Sequence, residues 1–159
     1  MEVPIDQAAR IELLEARAAI SDLVHGYALN IRSGNAAACG ELFTEDAVFE
    51  VRERLGGSGT IRTRSTLTGR AAITAYLTAG AASQTRLCPL IQNLLIRVNG
   101  QQATSSSAMI AIVLTTGNGI LGEYEDSFRY QQEWRFCSRI FTVLGEYPIH
   151  AEGASSENR

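Results

Sequence analysis

Between about residues 8 and 32, apolar side chains recur at helical spacing. Leu13, Ala16, Ile20, Leu23, Val24, Tyr27 and Ile31 share one face, while Glu15, Asp22 and His25 lie elsewhere. This periodicity predicts one long amphipathic helix. Ser33-Gly34-Asn35 ends it, because Gly34 can take the left-handed conformation that closes a helix C-terminus. A short helix over about 36–43 carries Cys39, Leu42 and Phe43. Thr44-Glu45-Asp46 then turns into a strand from Ala47 to Glu53, with Phe49 and Val51 on one side and Glu50 and Arg52 on the other. Residues 60–67 pair with that strand after the glycine-rich link Gly56-Gly57-Ser58-Gly59. A third helix over about 70–80 buries Ala72, Ile73, Tyr76 and Leu77.

The second half of the chain alternates with a period of two. It predicts strands at about 87–98, 102–116, 119–131 and 134–145, with turns at Asn99-Gly100, Gly117-Asn118-Gly119 and Gln131-Gln132-Glu133. Helices first and a meander afterwards make an α+β layer architecture. We expect a curved antiparallel or mixed sheet wrapped around the N-terminal helices and enclosing a pocket. The whole chain, 1–159, reads as a single domain with disordered ends at about 1–8 and 151–159. Strands 102–116 and 134–145 carry apolar side chains on both faces (Met109 and Val113 against Ile110 and Leu114; Phe136 and Ile140 against Phe141 and Val143). An apolar outer face asks for a cover, so a homodimer or homotrimer is expected.

One strand concentrates the candidate chemistry. In Ile120–Tyr130, one face reads Leu121, Glu123, Glu125, Ser127 and Arg129, and the other Ile120, Gly122, Tyr124, Asp126, Phe128 and Tyr130. Asp126 falls in the middle of the apolar, aromatic face. A carboxylate there must be hydrogen-bonded, neutralised, or turned into a cavity.

Composition narrows the choices. A chain of 159 residues that is 45% hydrophobic can bury a substantial core. Its net charge of −3 and lack of a basic run make nucleic acid an unsuitable partner. All 14 basic residues are arginine, which removes lysine-nucleophile and Schiff-base chemistry. Cys39, Cys88 and Cys137 lie far apart without metal-ligand spacing, and only His25 and His150 are histidines, so no metal or organic cofactor is expected. No apolar run reaches the ~18 residues of a membrane span. Reduced thiols and no recognisable signal peptide lead us to expect a cytoplasmic protein.

Ala19-Ile20-Ser21-Asp22-Leu23-Val24-His25-Gly26-Tyr27, Gly34, and Leu42-Phe43-Thr44-Glu45-Asp46-Ala47-Val48-Phe49 together resemble the opening of a SnoaL-like protein of the NTF2 superfamily. Gly122-x-Tyr124-x-Asp126-x-Phe128 and Trp134-Arg135-Phe136-x-x-Arg139 are similar to its last two strands. The superfamily includes polyketide cyclases, ketosteroid isomerases, scytalone dehydratase, a hexachlorocyclohexane dehydrochlorinase, dioxygenase small subunits and non-catalytic binding proteins. Fold does not choose among them. The dehydratase and dehydrochlorinase branch uses an Asp–His pair, whose places align with Arg32 and Pro89, the latter four residues before Asn93. Neither can replace the pair: proline does not titrate and arginine stays protonated. Arg139 matches an arginine that lines that branch's pocket. Against the isomerases, Tyr27 matches an oxyanion-holding tyrosine and Tyr124 stands where the second oxyanion acid would be. The isomerase base would fall on Val51, which cannot take a proton. The adjacent Glu50 points outward unless a bulge turns it.

The resulting candidates are Asp126 as acid or base, with Tyr27 and Tyr124 holding an oxyanion. Phe49, Val51, Phe128, Arg139, Arg32 and Asn93 are expected around a pocket for a small apolar ligand. An Asp126–Arg139 ion pair is the structural alternative for those two residues. For Arg32 it is a surface salt bridge, and for Asn93 a bond to backbone. The residues point to a cofactor-independent acid–base enzyme (a cyclase, isomerase, or lyase such as a dehydratase) acting on a polyketide, terpenoid or aromatic carbonyl compound. The other reading is a non-catalytic small-molecule-binding protein or an accessory chain like a dioxygenase small subunit.

Overall fold

The computed structural model describes residues 6–56, 59–83 and 87–148. In chain order these form α1 (Gln7–Ser33), α2 (Ala36–Glu41), β1 (Phe43–Arg54), β2 (Ile61–Thr68), α3 (Arg70–Ala82), β3 (Leu87–Asn99), β4 (Gln102–Val113), β5 (Asn118–Gln131) and β6 (Glu133–Pro148). The expected disorder at 151–159, and His150, lie outside the described residues. At the other end α1 already begins at Gln7, inside the stretch expected to be disordered.

Gly34 closes α1 as expected from the sequence. At φ 73° its N–H bonds to the Ile31 carbonyl and that of Asn35 to the Asn30 carbonyl. Asn35 then caps α2, its side chain accepting from the Ala38 N–H at 3.2 Å. Arg70, the first residue of α3, donates through Nε and Nη2 to the Phe43 carbonyl at 2.9 and 2.6 Å. That contact pins α3 to the start of β1. The buried stripe of α1 begins only at Ile20; Leu13, expected on it, is exposed, because α1 reaches the sheet with its second half.

The strands form one mixed sheet in the order β2-β1-β6-β5-β4-β3. β1 and β6 run parallel and every other neighbouring pair is antiparallel. The architecture is therefore α+β. α1 packs on β3 and β6, and α3 on β1 and β2, so both helices lie over the sheet. The core between these layers includes Ile20, Val24, Phe43, Phe49, Ile73 and Phe136. β1 starts at Phe43 rather than Ala47. Thr44–Asp46 stays extended, with Phe43 in register with Phe136 and Asp46 bonded to Arg129.

Register steps, three of them above all, set which side chains face the helices. In β3 the register steps from Gln92↔Ala108 to Leu95↔Ser106, so the inward set changes from Ile91 to Leu94, Ile96 and Val98. In β6 it steps from Ser127↔Ser138 to Phe128↔Phe136. Phe136 and Arg139 consequently face the same side, although simple alternation would oppose them. Phe136, Phe141 and Val143 thus share the inner face, which accounts for much of the two-sided apolar pattern in that strand. In β2 the step from Val51↔Ser65 to Arg52↔Thr63 leaves Arg64 as the extra residue.

Candidate ligand cavity

A cavity of about 420 Å³ opens between the C-terminal end of α1, α3 and the sheet. Its wall is mostly apolar: Phe49 and Val51 from β1, Leu77 from α3, Met109 and Ala111 from β4, and Phe141 from β6. Tyr27 and Tyr124 also line it. Neither phenol is hydrogen-bonded to a described residue, and burial pushes both up, Tyr124 to about 12 and Tyr27 well above its ordinary 10.0. Both are therefore neutral O–H donors throughout the physiological range.

These two rings are held from behind by one cation. The fully buried guanidinium of Arg139 lies 4.1 Å from the Tyr27 ring centre, 3.8 Å from that of Tyr124 and 4.5 Å from that of Phe136. The tyrosine rings meet edge to face, with centroids 6.4 Å apart and planes at 77°. A desolvated guanidinium on an aromatic face contributes up to ~2 kcal/mol, and it draws electron density from the phenols. Arg139 lowers the pKa of each tyrosine against the larger effect of burial. Phe141 completes the stack on Tyr124 at 5.0 Å. It can approach because Gly122 has no Cβ; one there would run into the Phe141 ring.

Asp126 stands opposite Arg139 on the neighbouring strand, with its Oδ1 3.3 Å from Nε. The contact is out of line for a hydrogen bond, so Nε and both terminal nitrogens of Arg139 find no acceptor among the described residues. Ser105, opposite Asp126 on β4, donates to Oδ2 at 3.5 Å. Burial raises the carboxyl to about 6, against the opposing pull of Arg139 and Ser105.

Tyr27, Tyr124, Phe49 and Val51 of the expected set thus meet at the cavity, and five residues do not. Asp126 and Arg139 are paired within the core and neither forms part of the cavity wall. Phe128 is core, packed on Phe136 at 5.0 Å. Asn93 is exposed at φ 53° in the β3 bulge, which turns it away from the inner face. Arg32 is exposed in the last turn of α1, where a cation complements the helix dipole. Pro89, at the place aligned with the dehydratase histidine, does line the cavity. Glu50 stays on the outer side, paired with Arg52 at 2.6 Å. His25 is exposed, its Nδ1 2.8 Å from the Ser21 carbonyl oxygen.

Sequence reasoning missed Met109, Ala111 and Phe141 as wall, although alternation set Met109 with Val113 on one face of β4. It also missed Arg64, which lines the cavity mouth because of the β2 bulge, and no sequence signal announces that bulge. Among the described residues, no three His, Cys, Asp or Glu side chains are grouped to hold a metal ion. No helix of the described residues is long and apolar enough to cross a membrane.

No curated protein matches the chain. Solved structures do. An NTF2-like protein with a cystatin-like fold from Novosphingobium aromaticivorans is 25% identical, with a TM-score of 0.71 over 98% of this chain and 94% of that one. A protein of the same organism provisionally named a scytalone dehydratase is 23% identical, with a TM-score of 0.69 over 93% and 96%. The β subunit of a provisionally assigned aromatic-ring-hydroxylating dioxygenase, also from that organism, is 18% identical, with a TM-score of 0.70 over 85% and 92%. The last two likenesses concern the fold alone. The model of the SnoaL-like domain matches residues 12–140, most of the chain, and with the helix–sheet order and the cavity it establishes that this protein belongs to the SnoaL-like family.

Proposed function

We propose that this protein binds a small, largely apolar carbonyl compound, with Tyr27 and Tyr124 donating hydrogen bonds to the carbonyl oxygen. The observation that carries this reading is an apolar cavity with two buried, neutral phenols beside the exposed Tyr76 and, among its described wall residues, no carboxylate or imidazole. Phenols that titrate so high stay protonated at neutral pH, so they serve as hydrogen-bond donors and not as bases. Such a wall suits recognition of an oxygen acceptor, and it lacks the base that enolisation requires.

A second reading, the cofactor-independent cyclase, isomerase or lyase, draws support from the placing of Arg139. A fixed cation over the rings of two phenols strengthens them as donors to an oxygen that gains negative charge. In that reading the proton acceptor is supplied by the substrate or by water, and Asp126 acts only through Arg139.

Titration with 2-acetylnaphthalene tests both. Tyr124→Phe and Tyr27→Phe should each weaken binding about three- to tenfold, the value of one hydrogen bond, with little loss of thermal stability. Equal affinity in all three proteins would remove the phenols from the site. Exchange of the ligand's methyl protons for deuterium, followed by NMR, separates the readings: acceleration by the wild type and not by Tyr124→Phe supports the enzyme.

A further inference from the structure

We propose that the natural ligand carries a carboxylate at the end facing the cavity mouth, and that Arg64 binds it. This rests on the reading of the cavity as a ligand site and names the class of ligand. Arg64 is the residue that the β2 bulge leaves without a partner on β1, and it is the one charged side chain among the described residues of the cavity wall. Bulges commonly re-aim a side chain in this way.

The charge of Arg64 is incompletely answered within the protein. Its nearest carboxylate, Glu53, lies 3.6 Å from Nε and is in closer contact with Arg62. One carboxylate is thereby shared by two guanidinium groups. Along the β1–β2 hairpin from 50 to 64, Arg52, Arg54, Arg62 and Arg64 face only Glu50 and Glu53, a surplus of two positive charges on a chain whose net charge is −3. The side chain of Arg64 is 55% exposed, so its donors are available at the mouth without disturbing the core.

The rest of the wall sets the class. A single arginine over an apolar cavity fits one monoanion rather than a phosphate, which recruits several donors. A guanidinium presents two parallel N–H groups to a carboxylate. The ligand would then be an amphipathic keto acid or aryl acid, its body in the cavity and its carbonyl oxygen at the phenols.

The test compares 2-naphthoate with methyl 2-naphthoate by calorimetry on the wild type, Arg64→Gln and Arg64→Lys. The wild type should prefer the acid about tenfold. The preference should vanish in Arg64→Gln, return in part in Arg64→Lys, and shrink in the wild type as sodium chloride is added, a measurement that needs no variant to fold. A wild type that binds the ester as tightly as the acid, or a preference that survives in Arg64→Gln, overturns the proposal and leaves the cavity reading standing. If neither compound binds, the cavity reading falls and this proposal with it.

Discussion

Asp126 and Arg139 govern how this protein responds to acid. Removed from water, with Arg139 out of line and Ser105 at 3.5 Å, the Asp126 carboxyl titrates near 6 instead of 3.8. Its folded value lies above its unfolded value, so the folded state binds the proton more tightly. The stabilising contribution is complete below about pH 4 and is lost as pH rises through about 6. From this group alone, the unfolding free energy should fall by about 2 kcal/mol between pH 4 and 7. Asp46 has the opposite sign: a Thr44 hydrogen bond and Arg129 lower it below 3.8, so its effect lies at more acid pH. Urea unfolding at a series of pH values checks the prediction, since Asp126→Asn should abolish the slope across pH 4–7. Equal slopes in the two proteins would assign the effect elsewhere. The position of Asp126 on the buried face was legible from alternation in β5. Arg139 as its partner was legible too, as the ion pair that is the structural alternative for the two residues; that the contact falls out of line for a hydrogen bond was not, because side-chain geometry leaves no compositional mark.

Bulges and one glycine shape the cavity at the level of strands. Regular alternation was readable wherever a strand kept its phase, as in β4, where Ala103, Ser105, Ser107, Met109, Ala111 and Val113 all point inward. It failed at Asn93, Arg139 and Arg64, each at or beyond a register step. A step depends on which residues the neighbouring strand offers, and that is a long-range property. The Gly122–Phe141 contact is of the same kind: it joins two strands at one crowded point. Gly122→Ala should push the Phe141 ring away, loosen its stack on Tyr124 and cost about 1–3 kcal/mol by overpacking. Thermal unfolding should show the loss, and binding of 2-acetylnaphthalene should weaken with it. Gly26→Ala is the matched control. A Cβ at Gly26 meets nothing within 4 Å, and alanine favours the helix by up to ~1 kcal/mol, so stability should hold or rise. If both variants behaved alike, close approach at Gly122 would not be what positions Phe141.

For the whole molecule, the order of helices and strands was legible because each element carries its own period, and the family resemblance fixed how they assemble. The parallel pairing of β1 with β6 was not, since it joins segments far apart in sequence. The sheet's other face raises the question of assembly. There Leu90, Ile110 and Leu121 stand in register across β3, β4 and β5, and Leu90 and Ile110 are 47% and 44% exposed. A continuous apolar row across three strands is unlike isolated surface leucines and suits a second sheet of the same kind. We therefore propose that copies of this chain associate through that row as a homodimer or homotrimer. Sedimentation should give a multiple of 17.2 kDa, and Ile110→Glu should reduce it to the single chain without changing naphthoate affinity, because Ile110 does not line the cavity. The exposed start of α1 offers a competing surface through Ile11 and Leu14. Leu14→Glu separates the two: a monomer from this variant and an oligomer from Ile110→Glu would move the interface from the sheet to the helix. A wild type that sediments as one chain would leave both surfaces without a second copy.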